Sequence, residues 1–197
     1  MKYTIVITNE KGGTGKTTIT ALLVEYLNFR QQKVQLVDTD PLQTAQTWVS
    51  NCQLEGRKVS QTSANYQIID TPGSSGSSLG WIRQADFIIV PFQPHYADLK
   101  VTTDWFSTLN RELQNKIFFF PNRWQNTKEQ REGIKQLMGL VKQQQAGRIL
   151  PPLSNRPALY GTLLNGSKEN FFTQLEDQEP TKELFQSLYN IIKYNKI

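Results

Sequence analysis

Little in this sequence calls for a membrane or an oxidising compartment. Cysteine occurs once, at Cys52, so neither an internal disulfide nor a cysteine-built metal site can form, and the thiol is expected to be inert. No apolar run approaches the roughly 20 residues that cross a bilayer. There is no internal repeat. Charge is unremarkable: 20% of residues are charged against 38% hydrophobic, which is too apolar for a disordered chain. The opening segment, Met1-Lys2-Tyr3-Thr4-Ile5-Val6-Ile7, is too short for a signal peptide, so a cytoplasmic location is expected. The 197 residues suffice for one domain, 1–197, with a good-sized core. A net charge of +5 permits a polyanionic partner without demanding one.

What is present is an alternation of short apolar runs and helical stretches. Lys2–Thr8 is rich in β-branched residues, and Thr17–Arg30 places Ile19, Leu22, Leu23, Tyr26 and Leu27 at helical spacing. Further strands are expected at Val34–Val37 ending on Asp38, and at Gln67–Ile69 ending on Asp70. Phe87–Val90 should be closed by Pro91 and Ile117–Phe120 by Pro121, with a short last strand at Arg148–Leu150. Helices are expected at Ala97–Leu113 and Lys128–Gln144. The alternation predicts an α/β fold, a mostly parallel twisted sheet with helices on both faces. Its strands read as continuous apolar runs, as buried parallel strands do. Ligands of such sheets sit at the carboxyl ends of the strands, where Asp38, Asp40, Asp70, Asn122 and Arg123 fall. Gly73–Gly80 has a linker's composition but directly follows Asp70, so a mobile loop beside the ligand is expected. The tail Thr181–Ile197 repeats Leu184, Phe185, Leu188, Ile191 and Ile192 at helical spacing, which predicts a packed helix. A membrane-surface helix is the alternative, though basic residues there are few: Lys182, Lys193 and Lys196.

The chemistry concentrates in Lys11-Gly12-Gly13-Thr14-Gly15-Lys16-Thr17-Thr18. Gly15-Lys16-Thr17 supplies the end of the phosphate-loop pattern G-x-x-x-x-G-K-[ST], but its first glycine would fall on Glu10, so the strict pattern fails. The context is still that of a P-loop NTPase, with an apolar strand before the loop and a helix after it. Gly12, Gly13 and Gly15 can turn backbone N–H groups into an anion nest, and the helix start adds its positive end. Lys16 would neutralise β- and γ-phosphate charge, and the Thr17 hydroxyl would ligate Mg²⁺. Asp70 would hold a magnesium water. Asp38 and Asp40 near a triphosphate require a cation to offset repulsion, and one of them could orient the attacking water. Capping of a helix by Asp40, with Pro41 at its first position, is a structural role compatible with that one. ATP and Mg²⁺ are the expected ligands.

On these residues the chain resembles the ParA/MinD group of deviant-Walker ATPases. The likeness rests on K-G-G-T-G-K-T-T, on Val34-Gln35-Leu36-Val37-Asp38-Thr39-Asp40-Pro41-Leu42-Gln43, on Ile68-Ile69-Asp70-Thr71-Pro72-Gly73 and on Val90-Pro91-Phe92-Gln93-Pro94. It implies that Lys11 is the group's signature lysine, reaching the phosphates of a partner subunit so that two subunits sandwich two ATP molecules. It implies that Gly12 to Thr18 wrap the phosphates, that Asp40 positions the lytic water and touches the magnesium shell, and that Asp38 supports it. Asn122, Pro151 and Pro152 would frame adenine. The segment Asp38–Ala45 resembles the partition branch, with Leu42 where that branch has glutamine, and nothing before the loop resembles a DNA-binding domain, as in the short ParA type. The resemblance implies a homodimer with ATP, non-specific DNA of the nucleoid as its track, a ParB-like or cargo-adaptor partner that stimulates weak hydrolysis, and no membrane partner. Lys135, Lys142, Arg148 and Arg156 are the candidate DNA contacts. A MinD-like membrane-associated positioning ATPase is the alternative; a phosphate-transferring small-molecule kinase and a non-hydrolysing DNA scaffold are further rivals.

Overall fold

The computed structural model describes residues 2–73, 76 and 78–194. Strand β1 (Tyr3–Ile7) leads into helix α1 (Lys16–Phe29), followed by β2 (Val34–Asp38), α2 (Thr44–Leu54) and β3 (Tyr66–Asp70). Then come α3 (Leu79–Gln84), β4 (Phe87–Phe92), α4 (Tyr96–Thr108), α5 (Arg111–Asn115) and β5 (Ile117–Pro121). The chain continues through α6 (Lys128–Gln144), β6 (Arg148–Ile149), α7 (Pro157–Tyr160), two 3₁₀ turns and α8 (Pro180–Tyr194).

The six strands are all parallel, in the order β2-β3-β1-β4-β5-β6. Side chains alternate between the two faces, as the pleat requires. Ile5 and Ile7, Phe87 and Ile89, and Phe118 and Phe120 enter one core; Val6, Ile88, Val90, Ile117 and Phe119 enter the other. The first core takes α1, α2 and α8, and the second takes α3, α4, α5 and α6. β1 lies at the centre with β3 on one side and β4 on the other, so the chain leaves β1 where its neighbours diverge. Register brings Ile7, Asp38 and Asp70 level at the carboxyl edge.

Several expectations are corrected in detail. Pro91 does not close β4 but lies within it. Pro91 is in register with Phe120 of β5, but the ladder of β4 with β1 ends at Ile89, so on that side no strand asks for its missing N–H, and its carbonyl accepts from Asn9 Nδ2 at 2.9 Å. The stretch expected as one helix over Ala97–Leu113 is two. Leu109 and Asn110 are extended, and the Asn110 side chain starts α5 anew by accepting from the Leu113 N–H at 3.0 Å. α2 begins at Thr44 and not at Pro41, because Gln43 takes a left-handed φ of 51° before it. Residues 74, 75 and 77 of the expected loop lie outside the described residues, and its end, Leu79 and Gly80, opens α3.

α8 packs as the tail's spacing predicts. Its buried face carries Leu184, Phe185, Leu188, Tyr189 and Ile192. Lys196 lies outside the described residues. Phe185 is fully buried, with its ring 5.5 Å from Phe172 and 6.0 Å from Phe120. The Tyr26 ring lies 6.1 Å away as well, so truncating Phe185 leaves a cavity between three aromatic rings. Phe185→Ala should lower the unfolding free energy by about 3–5 kcal/mol in a denaturant titration.

Candidate nucleotide site

The loop between β1 and α1 is shaped by its glycines and by what presses on them. Gly13 and Gly15 have φ of 77° and 92°, a region that side chains resist. A Cβ on Gly15 would stand 2.2 Å from Asn122 Nδ2, which donates to the Thr14 carbonyl at 2.9 Å. A Cβ on Gly73, after β3, would come within 2.9 Å of Gly12 Cα. Gln93 Nε2 donates to the Gly13 carbonyl at 3.4 Å. The loop is thus braced from β3, β4 and β5 at once, while Gly12 and Gly13 have nothing within 4 Å on their Cβ sides. That open glycine backbone at the start of α1 is the cradle an anion requires. A cavity of about 550 Å³ lies against it, lined by the loop, Asp40, Pro41, Leu42, Thr44, Pro72, Gly73 and Arg123.

Lys16 is nearly buried, its ammonium 3.4 Å from the Lys11 carbonyl. Burial pulls its pKa down, and the nearby carboxylates of Asp70 and Asp40 oppose the shift. Asp70 accepts from the Thr17 hydroxyl at 2.8 Å and from the Thr20 hydroxyl at 2.9 Å. Burial raises its pKa from 3.8 to about 6 despite both hydrogen bonds. A hydroxyl and a carboxylate in contact beside the phosphate cradle are a donor set that suits Mg²⁺, a hard cation taking few protein ligands.

The two other carboxylates are differently employed. Asp38 accepts from the Asp40 N–H through one oxygen and from the Gln46 N–H through the other, each at 3.0 Å. Asp38 therefore folds the turn and reaches the first turn of α2, the capping task that the sequence suggested for Asp40. Asp40 accepts from the Leu42 N–H at 2.9 Å through one oxygen; the other has no partner among the described residues. Gln43 holds the same turn by donating to the carbonyls of Asp38 and Asp40.

Other expected residues stand apart. Asn122 is buried and braces the loop: its Nδ2 donates to the Thr14 carbonyl and its Oδ1 accepts from the Arg123 N–H. Pro151 and Pro152 are exposed after β6 and do not line the cavity. The Lys11 ammonium is absent from the lining as well, and pairs with Asp98 on α4. Of the basic candidates, Lys135 pairs with Glu132 at 3.0 Å and Arg156 with Glu179, Arg148 lies over the Phe118 ring, and Lys142 is exposed at the end of α6. Sequence reasoning missed Thr20 and Asp98. Thr20 could have been found, three residues from Thr17 on the same helix face; Asp98 had no local signal.

A parallel sheet that delivers a braced, glycine-rich and lysine-bearing loop from its central strand defines a P-loop nucleotide-binding protein. The chain belongs to the CobQ/CobB/MinD/ParA nucleotide binding domain family, whose model matches residues 5–167. It is 28% identical over 130 residues to the maintenance of carboxysome distribution protein A of Halothiobacillus neapolitanus, a match covering 56% of this chain and 57% of that protein. The chain thus spans little more than half the length of that relative. Among solved structures, it superposes on a plasmid partition protein of Borrelia burgdorferi B31 bound to AMPPNP with a TM-score of 0.72. Identity there is 16%, over 98% of this chain and 99% of that one. The septum site-determining protein MinD of Pyrococcus horikoshii, complexed with Mg-ADP, gives a TM-score of 0.71 at 16% identity, over 98% of each chain.

Because Asp70 is more basic in the folded chain than in the unfolded one, its contribution to stability is present in acid and is lost as pH rises through about 6. Asp70→Asn removes that loss. In nucleotide-free protein at pH 8 it should raise the unfolding free energy by about 1–3 kcal/mol, with the gain vanishing by pH 4, while stabilisation by Mg²⁺ with ADP disappears.

Proposed function

We propose that this chain is a ParA-type partition or positioning ATPase, residues 1–197 acting as one ATPase domain. ATP joins two subunits face to face, the dimer binds DNA without sequence preference, and a cargo-bound partner triggers hydrolysis and release. The cargo is a plasmid, a chromosome or a protein assembly; likeness to a carboxysome-distribution protein makes the last a natural first choice to test.

The observation that carries the reading is the second lysine. Lys16 lines its own subunit's cavity and Lys11 does not. A lysine at a phosphate loop whose ammonium stands off its own subunit's cavity is placed to serve a partner's nucleotide once it leaves Asp98.

The geometry supports the remaining roles of this reading. Gly12 to Thr18 receive the phosphates through backbone N–H groups, and Lys16 offsets charge that builds on the β- and γ-phosphoryl oxygens. When bound, Mg²⁺ would be held by Thr17 and Asp70, with Asp40 at its water shell, and would neutralise phosphate charge. The free oxygen of Asp40 holds the attacking water and accepts its proton, and Asp38 fixes Asp40 without touching the reaction. Arg123, on the cavity wall, joins Asn122 as a candidate for the nucleoside end. α8 buries the apolar face that a lipid surface would need, which favours the nucleoid as the track over the membrane.

Lys11→Ala should stay monomeric with ATP in light scattering, and a normal ATP-dependent dimer would remove the sandwich. Asp40→Ala should bind ATP and accumulate as a dimer, its turnover down at least about a hundredfold, the scale of a lost general base; wild-type turnover would dismiss Asp40. DNA binding should require ATP and fall steeply between 50 and 200 mM salt. Replacing exposed Lys142 should reduce the salt slope by about one if it meets a phosphate, and gel shifts independent of nucleotide would contradict the switch.

A further inference from the structure

Lys11 is the lysine of the loop that forms a direct ion pair within its own subunit. Its ammonium pairs with the carboxylate of Asp98, in the first turn of α4. The two ends of this pair differ: the Asp98 side chain is 8% exposed, that of Lys11 38%. A small polar cluster surrounds them. Asn9 Oδ1 accepts from the Lys11 N–H at 3.0 Å, and Asn9 Nδ2 donates to the Thr102 hydroxyl at 3.1 Å. Asn9 and Thr102 are buried, and Thr102 lies four residues beyond Asp98 on α4. Loop and helix are therefore joined twice, once by a neutral hydrogen bond and once by an ion pair.

The ion pair is the separable half. Lysine carries a point charge on a flexible four-carbon stem and can swing outward, whereas Asp98 is fixed in a helix and nearly buried. Among the described residues Lys11 is the only cation paired with Asp98. If Lys11 leaves, a buried carboxylate stays behind without its counter-charge, which is unfavourable.

We propose that Asp98 is a positioning residue that holds Lys11 within its own subunit and so sets how much ATP is needed to join two subunits. The proposal rests on the sandwich reading. Lys11 cannot serve Asp98 and a partner's phosphates at once, so each subunit must break its own pair before it contributes to the other's site. Asp98 thereby opposes pairing by chains with no nucleotide, and the denser negative charge of a bound triphosphate overcomes the opposition. Between wild-type chains the dimer forms only when both loops are loaded, because an unloaded partner gives Lys11 nothing to exchange for Asp98.

Two readouts test this. In nucleotide-free monomer, an amine-acylating reagent should modify Lys11 more slowly than exposed Lys142, and Asp98→Asn should remove that protection. The ATP concentration that half-converts monomer to dimer, read by light scattering, should fall about fivefold to tenfold in Asp98→Asn, the range for a charged hydrogen bond of partial burial. Asp98→Glu, which keeps the charge, should stay near the wild type. Thermal unfolding checks that each variant is folded, and Asp98→Ser serves if the Asn variant is not. A folded neutral variant whose midpoint is unchanged or higher overturns the proposal but leaves the sandwich standing, provided the wild type dimerises and Lys11→Ala does not. Wild-type Lys11 acylated as fast as Lys142 overturns it without any variant. A wild type that stays monomeric at every ATP concentration overturns both.

Discussion

A nearly buried ammonium set among carboxylates, Lys16 with Asp70 and Asp40, is the arrangement on which the rest of the carboxyl edge depends. Neither Lys16 nor Asp70 is comfortable there: burial depresses the lysine and lifts Asp70 to about 6. The surroundings are organised to tolerate them. Two threonine hydroxyls hold Asp70, the Lys11 carbonyl faces Lys16, and the Asp38 carboxylate folds the turn that carries Asp40. Such a cluster is poised for a ligand that brings its own charges, anionic phosphate for the lysine and a cation for the carboxylates. Stability given up in the free chain becomes affinity once those charges arrive, so the nucleotide acts on the fold as well as on chemistry.

The loop transmits that change because it is gripped from three strands. Asn122 after β5, Gly73 after β3 and Gln93 after β4 all press on it. Lys11, at its start, is tied instead to α4. Cradle and Lys11 thus have separate anchors: the first is held from three strands, the second by one ion pair to α4.

The fold was legible because its signals are local. Buried parallel strands are apolar throughout, and each announced itself within a few residues; α6 follows its expected bounds from Lys128 to Gln144. The glycine-rich loop could be read for the same reason, since phosphate binding needs backbone freedom, a lysine and a hydroxyl in one short run. What could not be read depends on distant partners. Asp98 lies 87 residues from Lys11, and nothing in its neighbourhood marks it. Asn122 lies at a strand end where ligand contacts gather, yet its amide braces Thr14, 108 residues away. The break at Leu109 goes with the Asn110 cap on α5, and the late start of α2 with the left-handed Gln43, neither of which helical spacing marks.

The central claim is that Lys11 serves the nucleotide of the other subunit while Lys16 serves its own. A subunit-mixing measurement tests it most directly. Lys11→Ala and Lys16→Ala chains, each inactive alone, are combined and their ATP hydrolysis followed with DNA and partner present. The account predicts that the mixture regains activity, because a mixed dimer holds one complete site: an intact Lys16 on one chain meets an intact Lys11 from the other. A mixture no more active than either variant alone, under conditions where mixed dimers form, would contradict it.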